Sequence, residues 1–256
     1  MTATDRPAAL AAVEDLVAVM DRLRSPGGCP WDAAQTHASL LPYAVEEVYE
    51  VVEAVEHDDR TALCEELGDL LLQVVFHARV AQEHLTEPFG LAEVAAGVAA
   101  KLRHRHPHVF GDAVVADAED VHRRWEEIKK AEKARASVLD GIPAGLPALA
   151  RAQKVLGRAQ QAGLPVAEAV AEAVAEAVRA AGASADGSSG PQQTTVPGEA
   201  SLRAELLALV RRAQAAGIDA EAALRGAVRD LEGSLRGAEL RAKAPAAGAV
   251  DGAGEG

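Results

Sequence analysis

The sequence predicts an all-α fold, and three observations carry that prediction. Aromatic residues, which strands favour, make up only 3% of the 256 residues, while alanine, valine and leucine dominate. Apolar residues recur at spacings of three and four over long stretches, the period of one helix face. Glycine and proline clusters punctuate those stretches where helices should stop. Apolar runs such as LGDLLLQVVF are interrupted by charge and fall well short of the ~20 residues of a membrane span. The N-terminus MTATDRPAAL lacks the layout of a signal peptide, and Cys29 and Cys64 form neither a disulfide framework nor a metal motif. A soluble cytoplasmic protein is expected.

A first helix is predicted over residues 10–24, with Leu10, Val13, Leu16, Val17, Met20 and Leu23 on one face. Ser25-Pro26-Gly27-Gly28 ends it, and Asp32 with Gln35 forms a candidate capping box in the following Cys29-Pro30-Trp31-Asp32 segment. Trp31 could pack on the core or stack on a base. Two amphipathic helices then flank the polar break His57-Asp58-Asp59-Arg60. Val48, Val51, Val52 and Val55 stripe the first; Leu63, Leu67, Leu70, Leu71, Val74 and Val75 stripe the second. The second runs on through Gln73 and His77 to about Leu85. A further helix covers residues 90–104 and closes in Lys101-Leu102-Arg103-His104-Arg105-His106. Pro107 breaks it, His108–Asp112 is read as a loop, and another helix starts at about Asp117.

Off the two stripes lie carboxylates: Glu46, Glu47 and Glu50 on one helix, Glu66 and Asp69 on the next. A lone E-E-x-x-E is ordinarily a solvated helix face. Here the two groups are matched. Glu50 and Glu66 lie about eight and seven residues from the turn, and Glu47 and Asp69 about eleven and ten, so at ~1.5 Å per residue an antiparallel hairpin sets all four at one height. Crowded carboxylates repel unless a cation sits among them. Oxygen-only donors suit a hard ion, Mg²⁺ or Mn²⁺. Gly68, costly in a helix interior, suggests close packing beside Asp69. Gln73 and His77 continue that face and are candidates for hydrogen bonds near the site.

The formal net charge of −13 argues against an extended nucleic-acid surface. It leaves room for a small phosphate ligand held between metal ions and a local basic patch. Lys101 to His106 and the Arg123–Lys130 segment supply the concentrated positive charge of the first half.

With GGCPWDAAQTHASLLPYAVEEVYEVVEAV, EELGDLLLQVVFHARVA, KLRHRHPHVFGD, RRWEEIK and GIPAGLPALARAQK in this order, residues 10–155 resemble the MazG family of nucleoside triphosphate pyrophosphohydrolases. The resemblance implies an all-α helical bundle, usually a homodimer, that cleaves nucleoside triphosphates to the monophosphate and pyrophosphate. It implies Glu47, Glu50, Glu66 and Asp69 as Mg²⁺ ligands and Glu46 as the residue orienting or deprotonating water. Lys101 and Arg105 match the family's phosphate contacts; Trp125 and Lys129 match its aromatic and lysine near the nucleotide, and Trp31 joins them as a candidate substrate contact. Rival readings are a dUTP, dCTP or phosphoribosyl-ATP pyrophosphatase, a di-iron bundle, and a non-catalytic helical regulator. The C-P-W-D and R-H-P-H-V-F blocks favour MazG over the first. The second wants two E-x-x-H motifs, and only Glu119 to His122 supplies one.

Family members often carry two copies of the domain, and the second half reads as a worn one. Residues 1–136 are taken as the catalytic copy and 137–181 as a connector with the first helices of the second. A disordered linker (182–200), the remaining helices (201–243) and a disordered tail (244–256) follow. Glu172 and Glu176 keep the spacing of Glu46 and Glu50, but Ala173 stands in place of Glu47, Ala204 in place of Asp69, and Glu205 is one step out of register.

Overall fold

A computed structural model describes residues 5–132, 136–183 and 198–243, apart from some side chains within the helices. Eleven helices and no strand occur among the described residues. The chain divides into two compact units, Met1–Glu132 and Lys133–Gly256.

In the first unit α1 spans Asp5–Arg24, five residues earlier than the periodicity suggests. Its end is a tight turn. Gly27 takes a φ of 77°, and a Cβ on Gly28 would lie 2.2 Å from the Leu23 carbonyl oxygen. Only glycine fits both demands. The short α2, Pro30–Ala34, begins with Pro30 in its first turn and Cys29 as N-cap. That start puts Asp32 inside the helix, so the expected Asp32–Gln35 capping box does not form. Thr36 caps α3 instead: its hydroxyl accepts from the Ser39 amide at 3.2 Å, and the Ser39 hydroxyl accepts from the Thr36 amide at 2.9 Å.

The hairpin is α3, His37–Glu56, against α4, Arg60–Ala81, the most extensive helix pairing among the described residues. Asp58 turns the chain with a φ of 54°, a conformation aspartate tolerates better than most residues. Asp59 caps α4 by accepting from the Thr61 and Ala62 amides at 2.9 and 3.0 Å. Helix α4 stops at Ala81, short of Leu85, where Gln82 caps it. Helix α5, Leu91–Arg105, packs on α4, and residues 107–110, expected as loop, form the single turn α6, Pro107–Phe110. Pro107 cannot continue α5 but suits the first turn of a new helix. Helix α7, Ala118–Glu132, packs on α5.

Met20, Leu40, Val75 and Phe76 form the buried core, joined by Leu16, Val17, Leu23, Leu72, Val80 and Leu91. That core lies where α1, the start of α3 and the end of α4 meet. The valine and leucine stripes are covered only in part. Val75 is buried and Val51, Val52, Leu63 and Leu70 are half-buried, whereas Val48, Val55, Leu67, Leu71 and Val74 are exposed.

In the second unit α8, Ala148–Gln161, packs on α9, Val166–Ala183, on α10, Glu199–Ala215, and on α11, Ala220–Lys243. Helices α9 and α10 form its main pair. Gln153 fastens the α10–α11 turn, donating to the Ile218 carbonyl at 2.7 Å and accepting from the Ala220 amide at 2.8 Å. Helix runs to Ala183 and from Glu199, inside the ends of the expected linker; residues 184–197 and the expected tail from 244 lie outside the described residues.

Gly68 does not meet the close packing expected of it, since a Cβ there would touch nothing within 4 Å. Gly68→Ala should therefore gain helix propensity without a clash, stabilising the protein by about 0.5–1 kcal/mol. A rise in the urea midpoint at constant m-value is the expected result.

Candidate metal centre

Helical spacing places Glu47 and Glu50 on one face of α3, and Glu66, Asp69 and Gln73 on one face of α4. The hairpin turn sets these faces at the same height. One carboxylate oxygen each from Glu47, Glu66 and Asp69 lies within 4.8 Å of the other two, the only such group among the described residues. Glu50 lies beside both Glu47 and Glu66.

Four carboxyls so close are poorly compatible with four negative charges. Glu47 is held above its ordinary value of 4.5 by partial removal from water, then by Glu50, Asp69 and Glu66. Glu66 is raised from the same value by partial removal from water, then by Glu50, Glu65 and Asp69. A raised carboxyl favours the protonated folded state. The repulsion is therefore absent below about pH 4.5 and grows as pH rises through the raised values. A divalent cation would remove that penalty. The donors are all oxygen, half-buried and convergent, which fits a hard ion.

The other expected site residues divide into three places. Glu46 is exposed on α3, outside the convergent group. Trp31 is exposed on α2, its ring edge-on to Tyr43 at 6.1 Å, so it is not a core residue. Tyr43, not singled out from the sequence, lies one turn before Glu47 on the same face of α3; the four-residue spacing was the only signal for it. Lys101, Arg105 and Trp125 belong to α5 and α7. Arg105 pairs with Glu132 at 2.6 Å and its guanidinium lies 5.4 Å from the centre of the Trp125 ring. Glu132 is lowered first by that Arg105 hydrogen bond and also by nearby Lys101. Lys129 is on α7, and its side chain lies outside the described residues. The same holds for the His122 side chain of the E-x-x-H motif.

Gln73 and His77 extend the α4 face as expected but are not hydrogen-bonded to the carboxylates. Gln73 is buried with its Oε1 unpaired. The His77 Nδ1 lies 2.8 Å from the His37 Nδ1, with the rings stacked, and the His77 pKa is lowered by burial and then by His37.

A carboxylate hairpin of this kind on an all-helical scaffold defines a candidate divalent-cation site, and comparison with known proteins gives it a family. Residues 35–110 match the model of the MazG nucleotide pyrophosphohydrolase domain. A protein of Streptomyces cacaoi described as an uncharacterized 26.1 kDa protein in the blaB 3′ region is 44% identical over 226 residues, covering 88% of this chain and 81% of that one. The nucleoside triphosphate pyrophosphohydrolase of Escherichia coli K12 is 47% identical over 155 residues, 59% of this chain and 58% of its own length. Among solved structures, a mazG-related protein from Thermotoga maritima is 32% identical, with 46% of this chain and 98% of that chain covered and a TM-score of 0.39. The chain belongs to the MazG family. It spans little more than half the length of the Escherichia coli enzyme.

Removing one of the four charges tests the electrostatics directly. In the presence of a chelator at neutral pH, Glu66→Gln should melt at a higher temperature than the wild type. A divalent cation should raise the Tm of the wild type and leave that of the variant unchanged. Acidifying the metal-free wild type from pH 7 toward pH 5 should reduce the difference between the two proteins, as the remaining repulsion is relieved.

Proposed function

We propose that the first unit hydrolyses nucleoside triphosphates to the monophosphate and pyrophosphate with Mg²⁺, or Mn²⁺ in its place, with little selectivity for the base. The observation that supports this reading best is the convergence of Glu47, Glu66 and Asp69 oxygens within 4.8 Å, with Glu50 beside them. These four residues would hold the ion, which when bound supplies positive charge to phosphate oxygens and acidifies a coordinated water.

The reaction needs a water aimed at the α-phosphorus and charge compensation on the departing pyrophosphate. Water adds to the α-phosphorus as the bond from that phosphorus to the bridging oxygen breaks. Glu46, exposed beside the ligands on α3, accepts the water's proton. Lys101, Arg105 and Lys129 stabilise the charge that grows on the leaving group. Trp31 and Trp125 offer ring faces, and stacking on a ring tolerates any base, which fits breadth in the base. Such an activity would clear or regulate nucleotide pools in the cytoplasm, and the two free cysteines fit a reducing compartment.

The active form is a homodimer in this proposal. Leu41, Val45 and Val48 line one face of α3, and Leu67, Leu71 and Val74 one face of α4, all more than a third exposed in a single chain. The second unit is a degenerate copy of the first, with a structural or regulatory role. Its helix order supports this: α9 and α10 pair as α3 and α4 do, α8 packs on α10 as α1 packs on α4, and α11 on α10 as α5 on α4. Glu172 and Glu176 are exposed, and Glu205 accepts from the Ser201 hydroxyl at 3.0 Å. No convergent carboxylate group occurs there among the described residues.

Pyrophosphate release from a panel of nucleoside triphosphates tests the proposal. The wild type should release it with Mg²⁺ and not with a chelator. Glu50→Gln and Asp69→Asn should lower kcat by at least about 100-fold, whereas Glu172→Gln should match the wild type. Absence of pyrophosphate from every nucleotide with either metal would overturn the hydrolase reading in favour of a helical regulator.

A further inference from the structure

Arg24 ends α1 with its side chain only 3% exposed, and its guanidinium joins the end of α4 to the end of α2. Toward α4 it meets Glu83, just past the helix end, through two hydrogen bonds, Nη2 to Oε2 at 2.7 Å and Nε to Oε1 at 3.1 Å. Its flat face covers the Phe76 ring, 5.6 Å from the centroid. Toward α2, Nη1 donates to the Asp32 carbonyl and, at 3.2 Å, to the Gln35 carbonyl. Those carbonyls lie at the C-terminal end of a one-turn helix, where a cation is favoured even though the Asp32 carbonyl also accepts from the Gln35 amide at 3.2 Å.

The lock extends in both directions. Arg79 donates to the same Glu83 carboxylate at 2.9 Å and to Asp21 of α1 at 2.8 Å. Gln35 donates to the Trp31 carbonyl at 3.0 Å and accepts from the Ser39 hydroxyl of α3 at 2.6 Å. Apart from the Cys29 amide, which donates to the Leu23 carbonyl of α1 at 2.8 Å, α2 has few other ties. It has no side-chain N-cap, buries no residue fully, and carries Trp31 more than half exposed against Tyr43. A fork with five donors can hold a carboxylate and two carbonyls together; an ammonium group lacks that geometry.

We propose that Arg24 is a positioning residue for the nucleotide: through the α2 carbonyls it fixes Trp31 against Tyr43, one helical turn from the carboxylate cluster. The proposal rests on the nucleotide reading above. Arg24 touches no reacting atom, so its effect is on binding geometry and not on the chemical step. Its expected signature is a raised KM with kcat and Mg²⁺ dependence unchanged.

The test uses the full chain. Arg24→Lys keeps the buried charge but loses the fork, and should raise KM for nucleoside triphosphates about tenfold, a loss in the range that misplacement of a binding group produces. In a Trp125→Phe background Trp31 is the sole tryptophan, and Arg24→Lys should increase its quenching by acrylamide. Glu83→Gln, which leaves the guanidinium its carbonyl partners, should raise KM less. Combined with Trp31→Ala it should add nothing to the KM of Trp31→Ala alone, because both act through the same ring. An unchanged KM, a fall in kcat instead, or additive effects of Glu83→Gln and Trp31→Ala would overturn the proposal. If the wild type releases no pyrophosphate, the hydrolase reading fails, while the Trp31 quenching still decides whether Arg24 fixes α2.

Discussion

The register of the α3–α4 hairpin is the constraint on which the rest of this structure depends. A break of three residues, His57 to Asp59, with Asp58 left-handed and Asp59 capping α4, brings Glu47 of α3 against Glu66 and Asp69 of α4. One residue more or less would rotate one helix by about 100° against the other and scatter the carboxylates. The price of this register is electrostatic repulsion at neutral pH, visible in the raised Glu47 and Glu66 carboxyls. A site that is destabilising when empty and relieved by a cation is a site whose folding and binding are coupled.

The hydrophobic core is arranged to tolerate that strain. Met20, Leu40, Val75 and Phe76 pack where α1 meets the far end of the hairpin, away from the turn. The carboxylate level is left half-buried, which partly desolvates the acids without excluding a metal or a phosphate. Apolar residues beyond this core, such as Leu67 and Leu71, remain uncovered, and in the second unit Leu156, Val210 and Ala220 are buried.

Much of this was legible in the sequence because helices convert spacing into geometry. The i, i+3 and i+4 positions of the acids, with the polar break between them, were enough to place four carboxylates at one height. What stayed hidden depends on contacts distant in sequence. Nothing local reveals that Arg24 reaches Glu83, that His37 stacks on His77, or that Arg105 pairs with Glu132. The Asp32–Gln35 capping box failed because Pro30 starts α2 early, leaving Thr36 and Ser39 to cap α3. Gly68 suggested close packing through its helix cost, yet the space beside it is open.

The central claim is that the hairpin carboxylates form a divalent-cation site. Titration with Mn²⁺ followed by electron paramagnetic resonance counts bound ions directly, without any substrate or turnover. Saturable binding to the wild type is expected, lost on Glu47→Gln or Asp69→Asn and kept on Glu172→Gln. Equal Mn²⁺ binding by the wild type and the two hairpin variants would contradict it.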